Sequence, residues 1–136
     1  MSLIPRGARN NNPGNIRFNK HNKWIGQTGQ DDKGFAIFSD MSYGVRAASK
    51  LLDTYYNKHG LRSIRAMISR YAPSHENPTD AYVLNVSLAV GITPDEPMAY
   101  TIYKEIKPKM LVAMFKQELG TDDIALVDVK KWQNIA

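Results

Sequence analysis

The chain has no cysteine, which excludes structural disulfides and thiolate catalysis but leaves the redox compartment open. No apolar run reaches the length of a membrane span or of a signal-peptide core. We therefore expect no signal peptide of its own, so that work in the periplasm would require delivery by other components. Glycine-rich phosphate loops are missing as well, and no nucleophile elbow marks a serine hydrolase.

Histidine is scarce, with only three in 136 residues. His21, His59 and His75 stand far apart, and none has a partner at the spacing that zinc sites use. Each is best interpreted as a surface side chain. The sequence therefore predicts no metal site and no cofactor.

Positive charge is unevenly distributed along the chain. The net charge is +5, but residues 1–70 carry 12 lysines and arginines against four acids, whereas residues 71–136 carry six against nine. A basic half suits a polyanion such as nucleic acid or an anionic wall polymer, and it is equally typical of a solvated surface. The length and a hydrophobic fraction of 43% predict a single domain, residues 1–136, with its own core.

One stretch near the start is dense in turn-forming residues. Residues 10–17 read NNNPGNIR. Asparagine and glycine tolerate left-handed backbone, and proline fixes one dihedral angle. We expect a tight, specified turn whose amides bond neighbouring backbone or a polar ligand. The alternative is that the turn merely connects two elements.

The remaining pattern predicts an α+β fold that is mainly helical. Residues 1–9 are interpreted as an extended arm, residues 15–38 as a small β-lobe of two or three strands, and residues 40–136 as a helical lobe.

Within the helical lobe, periodic apolar residues predict helices that begin after an N-cap at Asp40, near Ile64, and after an N-cap at Thr79. A short helix over residues 98–106 is expected next, followed by a separate one that starts at Pro108. A last helix is predicted in the tail.

Four short motifs in the first half of the chain follow one another in a distinctive order: NNPGNIR at residues 11–17, WIGQ at 24–27, FAIF at 35–38 and YGVRA at 43–47. In this order they resemble short virion proteins of phages and prophages. The order is similar, more distantly, to the glucosaminidase and lytic transglycosylase branch of the lysozyme superfamily. In that branch an Asn-Asn turn leads into a β-lobe, a helix and a Tyr-Ala segment, for which this chain offers Tyr71-Ala72 and, further on, Ala81-Tyr82-Val83.

This resemblance covers roughly residues 9–90. It implies a lysozyme-like fold with a groove between a β-lobe and a helical lobe, and it implies binding of peptidoglycan glycan strands. Other virion proteins become candidate partners. In those enzymes a catalytic glutamate lies on a helix shortly before the Asn-Asn turn. Only nine residues precede Asn10, and none of them is acidic, so that glutamate cannot be carried over.

Glycoside cleavage needs a carboxylic acid with a raised pKa to protonate the leaving oxygen, and many such enzymes use a second carboxylate. The candidates near the expected groove are Glu76, in the loop before Thr79, and Asp31 or Asp32 in the β-lobe. We predict that Glu76 faces one of these aspartates across the groove. The alternative is that Glu76 is a solvated loop residue.

The predicted substrate-binding residues are aromatic side chains that would stack on sugar rings and polar side chains that would bind acetamido or lactyl groups, namely Trp24, Tyr71, Tyr82, Asn12, Asn15 and Arg17. The alternative for the aromatic residues is burial in the core. Trp24, beside a glycine-rich turn, favours the groove. Tyr82 favours the core, with its hydroxyl directed to the Asn-rich turn.

Three functions follow from these observations. The first is a virion-associated, lysozyme-like protein that binds and cleaves peptidoglycan, acting from the virion or delivered from the host cytoplasm to the periplasm. The second is the same fold without catalysis, as a virion structural or wall-binding module. The third is a nucleic-acid-binding protein, which is disfavoured because the basic residues are scattered rather than arranged along one helix face.

Overall fold

The computed structural model describes residues 4–73, 78–121, 123–133 and 135. This part of the chain forms six helices and two short strands, in the order α1 (Arg6–Arg9), β1 (Gln27–Gln30), β2 (Ala36–Phe38), α2 (Met41–Asn57), α3 (Ile64–Tyr71), α4 (Thr79–Val90), α5 (Tyr100–Leu119) and α6 (Leu126–Trp132). The prediction of a mainly helical chain with a small early sheet is confirmed.

The boundaries of several helices follow from local chemistry. The side chains of Asp40 and Ser63 accept hydrogen bonds from backbone N–H groups in the first turns of α2 and α3, which satisfies donors that a helix leaves unpaired. Gly91 and Gly120 adopt left-handed backbone directly after α4 and α5, where glycine carries no steric penalty.

The hydrophobic core is built around α5, which packs against α1, α2, α4 and α6. Side chains from β2 and from α2, α3, α4 and α5 pack together in this core. The largest fully buried ones are Tyr82, Tyr103, Phe38, Phe115, Leu52, Ile64, Met67, Ile68, Met110, Leu111, Met114 and Val45. Burial of each such side chain contributes about 1.5–3 kcal/mol. The core therefore joins the β-lobe to the helices.

The β-lobe consists of one antiparallel pair, β1 and β2, with Gln27 opposite Phe38 and a bulge before Gly29. An isolated bridge joins Arg17 to Phe35. The chain before β1 does not form a third full strand in the described residues. Instead the Asn-rich turn, residues 10–16, lies against β2. Side-chain amides of the turn donate hydrogen bonds to backbone carbonyls of β2.

The extended arm predicted for residues 1–9 is wrong for residues 6–9, which form the one-turn helix α1. The carbonyl of Gly7 accepts a hydrogen bond of 2.7 Å from the backbone N–H of Asn12, and the carbonyl of Arg6 accepts one of 2.9 Å from Asn10. The helical turn thus presents backbone acceptors to the start of the Asn-rich turn. Gly7 is buried, and a Cβ there would lie 2.6 Å from a methyl group of Leu119.

The two helices predicted over residues 98–106 and from Pro108 onward are one continuous helix, α5, with Pro108 inside it. Proline removes one intrahelical hydrogen bond and usually kinks or breaks a helix. Here Tyr103 and Lys107 before it, and Met110 and Leu111 after it, are all buried against the same core. Packing of both halves outweighs the missing bond.

Thr79 is the first residue of α4 rather than its cap. Its hydroxyl donates a hydrogen bond to the carbonyl of Ala72, directly after α3. This bond ties the end of α3 to the start of α4.

Candidate functional site

The Asn-rich turn is held by its own amides. Asn12 is fully buried, and its Nδ2 donates to the carbonyls of Ile16 and Ala36, both at 2.9 Å, while its Oδ1 accepts from the Ile16 N–H at 2.9 Å. Asn11 and Asn15 have positive φ angles of 53° and 49°, which asparagine adopts more readily than most residues. The side-chain amide of Asn12 is therefore occupied by hydrogen bonds to the protein backbone.

Two glycines let the turn lie directly on the helical lobe. The Tyr71 hydroxyl, at the end of α3, donates a hydrogen bond to the Gly14 carbonyl, and a Cβ on Gly14 would collide with that hydroxyl oxygen. On α2, a Cβ on Gly44 would overlap the Asn11 carbonyl oxygen and lie 2.9 Å from a ring carbon of Pro13. The turn, α2 and α3 consequently form one packed unit.

A groove of about 550 Å³ opens beside this unit, between the Asn-rich turn with its following segment and the ends of α3 and α5. Four predicted substrate-binding residues line it together, namely Asn15, Arg17, Trp24 and Tyr71. Arg70, from the last turn of α3, lines the same groove. The arginine side chains lie against aromatic rings, Arg17 at 4.6 Å from the Phe35 centroid and Arg70 at 5.5 Å from that of Tyr55.

The carboxyl group in this groove is that of Glu118, in the last turn of α5. Asn15 Nδ2 donates a hydrogen bond of 3.1 Å to Glu118 Oε1. Burial raises the pKa of Glu118, and the hydrogen bonds from Asn15 and Tyr82 lower it only in part. Glu118 is the only carboxylate among the described residues that line the groove. A partly buried carboxyl with a raised pKa in a cleft is typical of general acids.

Tyr82 lies beneath the groove rather than on its wall. Its side chain is 1% exposed, and burial, with Tyr71 and Glu118 nearby, raises its pKa well above the usual value. The hydroxyl is hydrogen-bonded to the Glu118 carboxyl and lies 3.5 Å from the Met114 carbonyl oxygen. Tyr82 supports Glu118 from the core.

Asp31 lies outside the groove lining, in the turn that joins β1 to β2. Its Oδ1 accepts hydrogen bonds of 2.9 Å from the backbone N–H groups of Lys33 and Phe35, and its Oδ2 lies 3.0 Å from Asn10 Nδ2 and 3.3 Å from Arg6 Nε. Burial acts to raise the pKa of Asp31, but these four partners together lower it to about 2. Such a carboxylate stays ionised and anchors α1 to the β-lobe.

Asp32 does not line the groove either; it is exposed at the tip of the β1–β2 turn. Glu76 lies outside the residues that the structure describes, as does His75. The flanking residues Ala72 and Pro73 line the groove.

Glu118 was not among the predicted catalytic residues, although the sequence carries a signal for it. The stripe of α5 that faces the core contains Leu111, Met114 and Phe115. Position 118 follows these residues by seven, four and three, and residues at those intervals share one helix face. A glutamate on the buried face of an amphipathic helix is rare without a partner or a function.

Two further properties bear on what the site can hold. Among the described residues, no three histidine, aspartate or glutamate side chains come together as a metal site requires. None of the helices in those ranges is long and apolar enough to cross a bilayer.

The fold and site define a small, mainly helical protein in which an Asn-rich turn and the end of a long helix flank a partly buried acid, and comparison with known proteins relates it to a bacteriophage protein. No family model matches the chain. It is 36% identical over 129 residues to Protein P5 of Pseudoalteromonas phage PM2, in an alignment that covers 93% of this chain and 78% of that protein. The chain belongs to the family of this phage protein, and the predicted resemblance to phage proteins is confirmed.

Proposed function

We propose that this chain is a virion-associated phage protein that binds peptidoglycan and cleaves its glycan strand, with Glu118 as the general acid. The observation that carries the proposal is the Glu118 carboxyl itself, which is partly buried at the groove, has a raised pKa and is oriented by Asn15. Protonation of a glycosidic oxygen requires a carboxyl that holds its proton near the working pH. No cofactor is needed for this chemistry.

The hydrogen bond from Asn15 orients the acid. Asn15 Nδ2 donates to Oε1 of Glu118, which fixes the orientation of the carboxyl group. A general acid within hydrogen-bond reach of the leaving oxygen contributes about 10²–10⁴-fold to the rate. Asn15, in left-handed backbone at the end of the Asn-rich turn, thus acts as a positioning residue for Glu118.

The position of Glu118 explains how the chain could have a catalytic acid although no acidic residue precedes the Asn-rich turn. In the glucosaminidase-like enzymes that the motifs resemble, the acid precedes the Asn-Asn turn on a helix. Here the end of α5 meets the turn from the far end of the chain, 103 positions away from Asn15. The proposal therefore retains a lysozyme-like arrangement of acid, turn and β-lobe with a different order along the sequence.

The groove walls suit an amphipathic glycan. Trp24 is partly buried and offers a ring face on which a sugar would stack. Arg17 and Arg70 would bind the lactyl and peptide carboxylates of peptidoglycan, because guanidinium groups pair with carboxylates. A virion protein with this groove would act locally on the wall during entry, in contact with other virion proteins.

A second candidate function is wall binding without cleavage, as a virion structural module. It is favoured by the presence of one carboxylate only among the described residues of the groove. Hydrolysis with retention or inversion uses two carboxyl groups about 5–10 Å apart. One acid would, however, be enough for glycan cleavage when a hydroxyl of the substrate itself attacks the anomeric carbon, as in a lytic transglycosylase.

The experiment is release of soluble muropeptides from purified Gram-negative sacculi, followed by mass spectrometry. The wild type is compared with Glu118→Gln, which preserves size and the hydrogen bond from Asn15. Glu105→Gln, on the exposed side of the same helix, is the matched control. We expect the wild type and the control to release fragments, and Glu118→Gln to be at least about 100-fold slower.

Two further variants separate the candidate acids. If Glu76→Gln abolishes release and Glu118→Gln does not, Glu76 is the acid and the assignment of Glu118 is wrong. Asp32→Asn tests the second predicted carboxylate in the same way. If the wild type sediments with sacculi but releases nothing, the protein is the binding module.

A further inference from the structure

One wall of the groove is formed by the segment that leads from the Asn-rich turn to β1, residues 18–26, which we name the strap. The strap contains no helix or strand, so its shape depends on turns and on contacts with neighbouring elements. The strap residues that line the groove are Phe18, Asn19, Asn22 and Trp24.

The end of the strap beside β1 is a type II turn. The Gln27 backbone N–H donates a hydrogen bond of 3.1 Å to the Trp24 carbonyl. Gly26 has a φ of 82°, whereas Ile25 before it does not have a positive φ. Positive φ at only the third of four turn residues is the mark of type II, and glycine adopts it without steric penalty. The turn therefore fixes the direction in which the backbone leaves Trp24.

This turn lies directly on the ring of Tyr43, in the first turn of α2. A Cβ on Gly26 would collide with that ring and lie 2.7 Å from the Tyr43 Cβ. The Ser39 N–H, just before α2, also donates a hydrogen bond of 2.9 Å to the Gly26 carbonyl. Tyr43 and Trp24 are both partly buried against the core, but Tyr43 is not among the residues that line the groove. Any effect of Tyr43 on a ligand therefore acts through the turn.

A second hydrogen bond connects the turn to Asn22. Gln27 Nε2 donates to the Asn22 backbone carbonyl at 3.2 Å, so Gln27 holds both Asn22 and Trp24 in place. The side-chain amide of Asn22 makes no hydrogen bond with the described residues, in contrast to the fully occupied amide of Asn12. Its donor and acceptor groups are available to a ligand beside Trp24.

We propose that Tyr43 is a positioning residue that, through the turn at Gly26, holds Trp24 as a preformed stacking platform for an N-acetylated sugar ring. Asn22 binds the acetamido group of the same ring. The inference rests on the proposed function and deepens it, because it assigns the kind of sugar that this part of the groove binds.

The chemistry of such a sugar matches both side chains. The C–H face of a pyranose ring packs on an indole ring, and a platform that is already fixed loses little conformational entropy when the sugar binds. An acetamido group presents one donor and one acceptor on separate atoms, which the primary amide of Asn22 can pair with its own acceptor and donor. A sugar with a hydroxyl at that position cannot make this paired contact.

The test uses the intrinsic fluorescence of Trp24. The chain has two tryptophans, and Trp132, on α6, does not line the groove. In the full chain with Trp132→Phe, Trp24 is the only indole. The protein is titrated with the β1,4-linked tetramer of N-acetylglucosamine and with cellotetraose, which has hydroxyls in place of the acetamido groups. We expect a saturable change with the first tetramer and binding about tenfold weaker with the second.

Variants at Tyr43 test the positioning role. Tyr43→Ala removes the ring beneath Gly26, and we expect it to weaken binding of the acetylated tetramer about tenfold. Time-resolved anisotropy should also show faster local motion of Trp24. A residue that only stabilised the fold would lower the melting temperature without changing this motion in the folded protein. Tyr43→Phe, which keeps the ring, should restore both values.

Two further variants test the turn and the acetamido contact. Gly26→Ala should weaken binding, whereas Gly60→Ala should not, because Gly60 has the same positive sign of φ but nothing within 4 Å of its Cβ. This pair carries the test of the turn if Tyr43→Ala does not fold. Asn22→Ala should abolish the preference for the acetylated tetramer and leave stacking on Trp24 intact.

The inference is overturned if Trp24 fluorescence responds equally to both tetramers or to neither. It is also overturned if Tyr43→Ala and Gly26→Ala both leave affinity and anisotropy unchanged. These outcomes are distinct from failure of the proposed function. Release of muropeptides without a response of Trp24 to the tetramer would reject the sugar site alone. Binding of the tetramer without binding or cleavage of sacculi would reject the proposed function alone.

Discussion

The groove and the outer surface of the helical lobe meet on α5, and their chemistry differs. Gln117 lines a concavity between α4, α5 and α6, whereas the next residue, Glu118, lines the groove, because successive residues of a helix point about 100° apart. In the groove partly buried polar groups are paired with one another, as in Glu118 with Asn15 and Tyr71 with Gly14. On the outer surface apolar side chains such as Leu88 are exposed.

The difference shows which deviations from ordinary burial carry information. A buried leucine or an exposed lysine is expected in any globular protein, whereas a partly buried acid and an exposed apolar face each cost free energy in the isolated chain. The groove contains the first deviation, at Glu118, and the outer side of α4 contains the second, at Leu84 and Leu88.

The largest expected effect on stability comes from the turn behind the groove. Gly44→Ala would drive a methyl group into the Asn11 carbonyl and the Pro13 ring, and backbone at that contact cannot move aside cheaply. We expect the free energy of unfolding to fall by about 2–3 kcal/mol, the upper range for overpacking. Urea denaturation would measure it.

Gly29→Ala is the matched control, because nothing lies within 4 Å of a Cβ placed there. Equal stability losses in the two variants would show that contact between the turn and α2 is not what stabilises the groove.

A smaller loss is expected from Tyr71→Phe. The variant keeps the ring that lines the groove and removes the hydroxyl that donates to the Gly14 carbonyl. An unsatisfied buried carbonyl costs about 1–3 kcal/mol, and thermal unfolding would report it. Tyr100→Phe, at a ring that is 49% exposed, should change stability little. If both tyrosine variants behave alike, the bond between α3 and the turn contributes nothing net.

The smallest effect, and one of opposite sign, is expected from Glu118→Gln. Burial raises the pKa of Glu118 above the ordinary value of 4.5, so the folded protein binds this proton more tightly than the unfolded chain does. The stability contributed by the protonated group is present at acid pH and is lost as pH rises through the raised pKa. Glutamine cannot ionise. The variant should therefore gain melting temperature relative to the wild type as pH increases from about 4 to 8.

Melting curves over that pH range test the sign directly, with Glu105→Gln as the exposed control. A difference that does not change with pH would mean that Glu118 is not perturbed. A gain in stability together with a loss of muropeptide release would be the trade-off expected of an active-site acid.

Much of the helical lobe could be predicted from the sequence because its signals are local. Asp40 and Gly91 mark helix ends through hydrogen bonds or backbone preferences within a few residues. Pro108 led to a wrongly predicted helix boundary for the same reason. The rule that proline breaks a helix considers only the local backbone and ignores the burial of α5 on either side of Pro108. The helical turn at residues 6–9 was missed because its carbonyl groups pair with backbone N–H groups of the Asn-rich turn, and no local sequence pattern signals that pairing.

The groove could be predicted only in part. Asn15, Arg17, Trp24 and Tyr71 were expected at one site from the order of motifs, and the structure brings them together. The roles of Asp31 and Glu118 depend on long-range partners. Asp31 is held by Arg6 and Asn10, more than twenty positions away, and Glu118 meets Asn15 across nearly the whole chain.

By itself, the sequence determined the mainly helical class, the specified Asn-rich turn, the exclusion of thiol chemistry and the motif order typical of phage proteins. These depend on residue type and short spacing, which act through local backbone preferences and composition. Only the tertiary structure decided which acid lies in the groove, which asparagine orients it, and which apolar face remains outside. Burial and pairing are properties of segments that are distant along the chain, and they exist only once those segments are packed together.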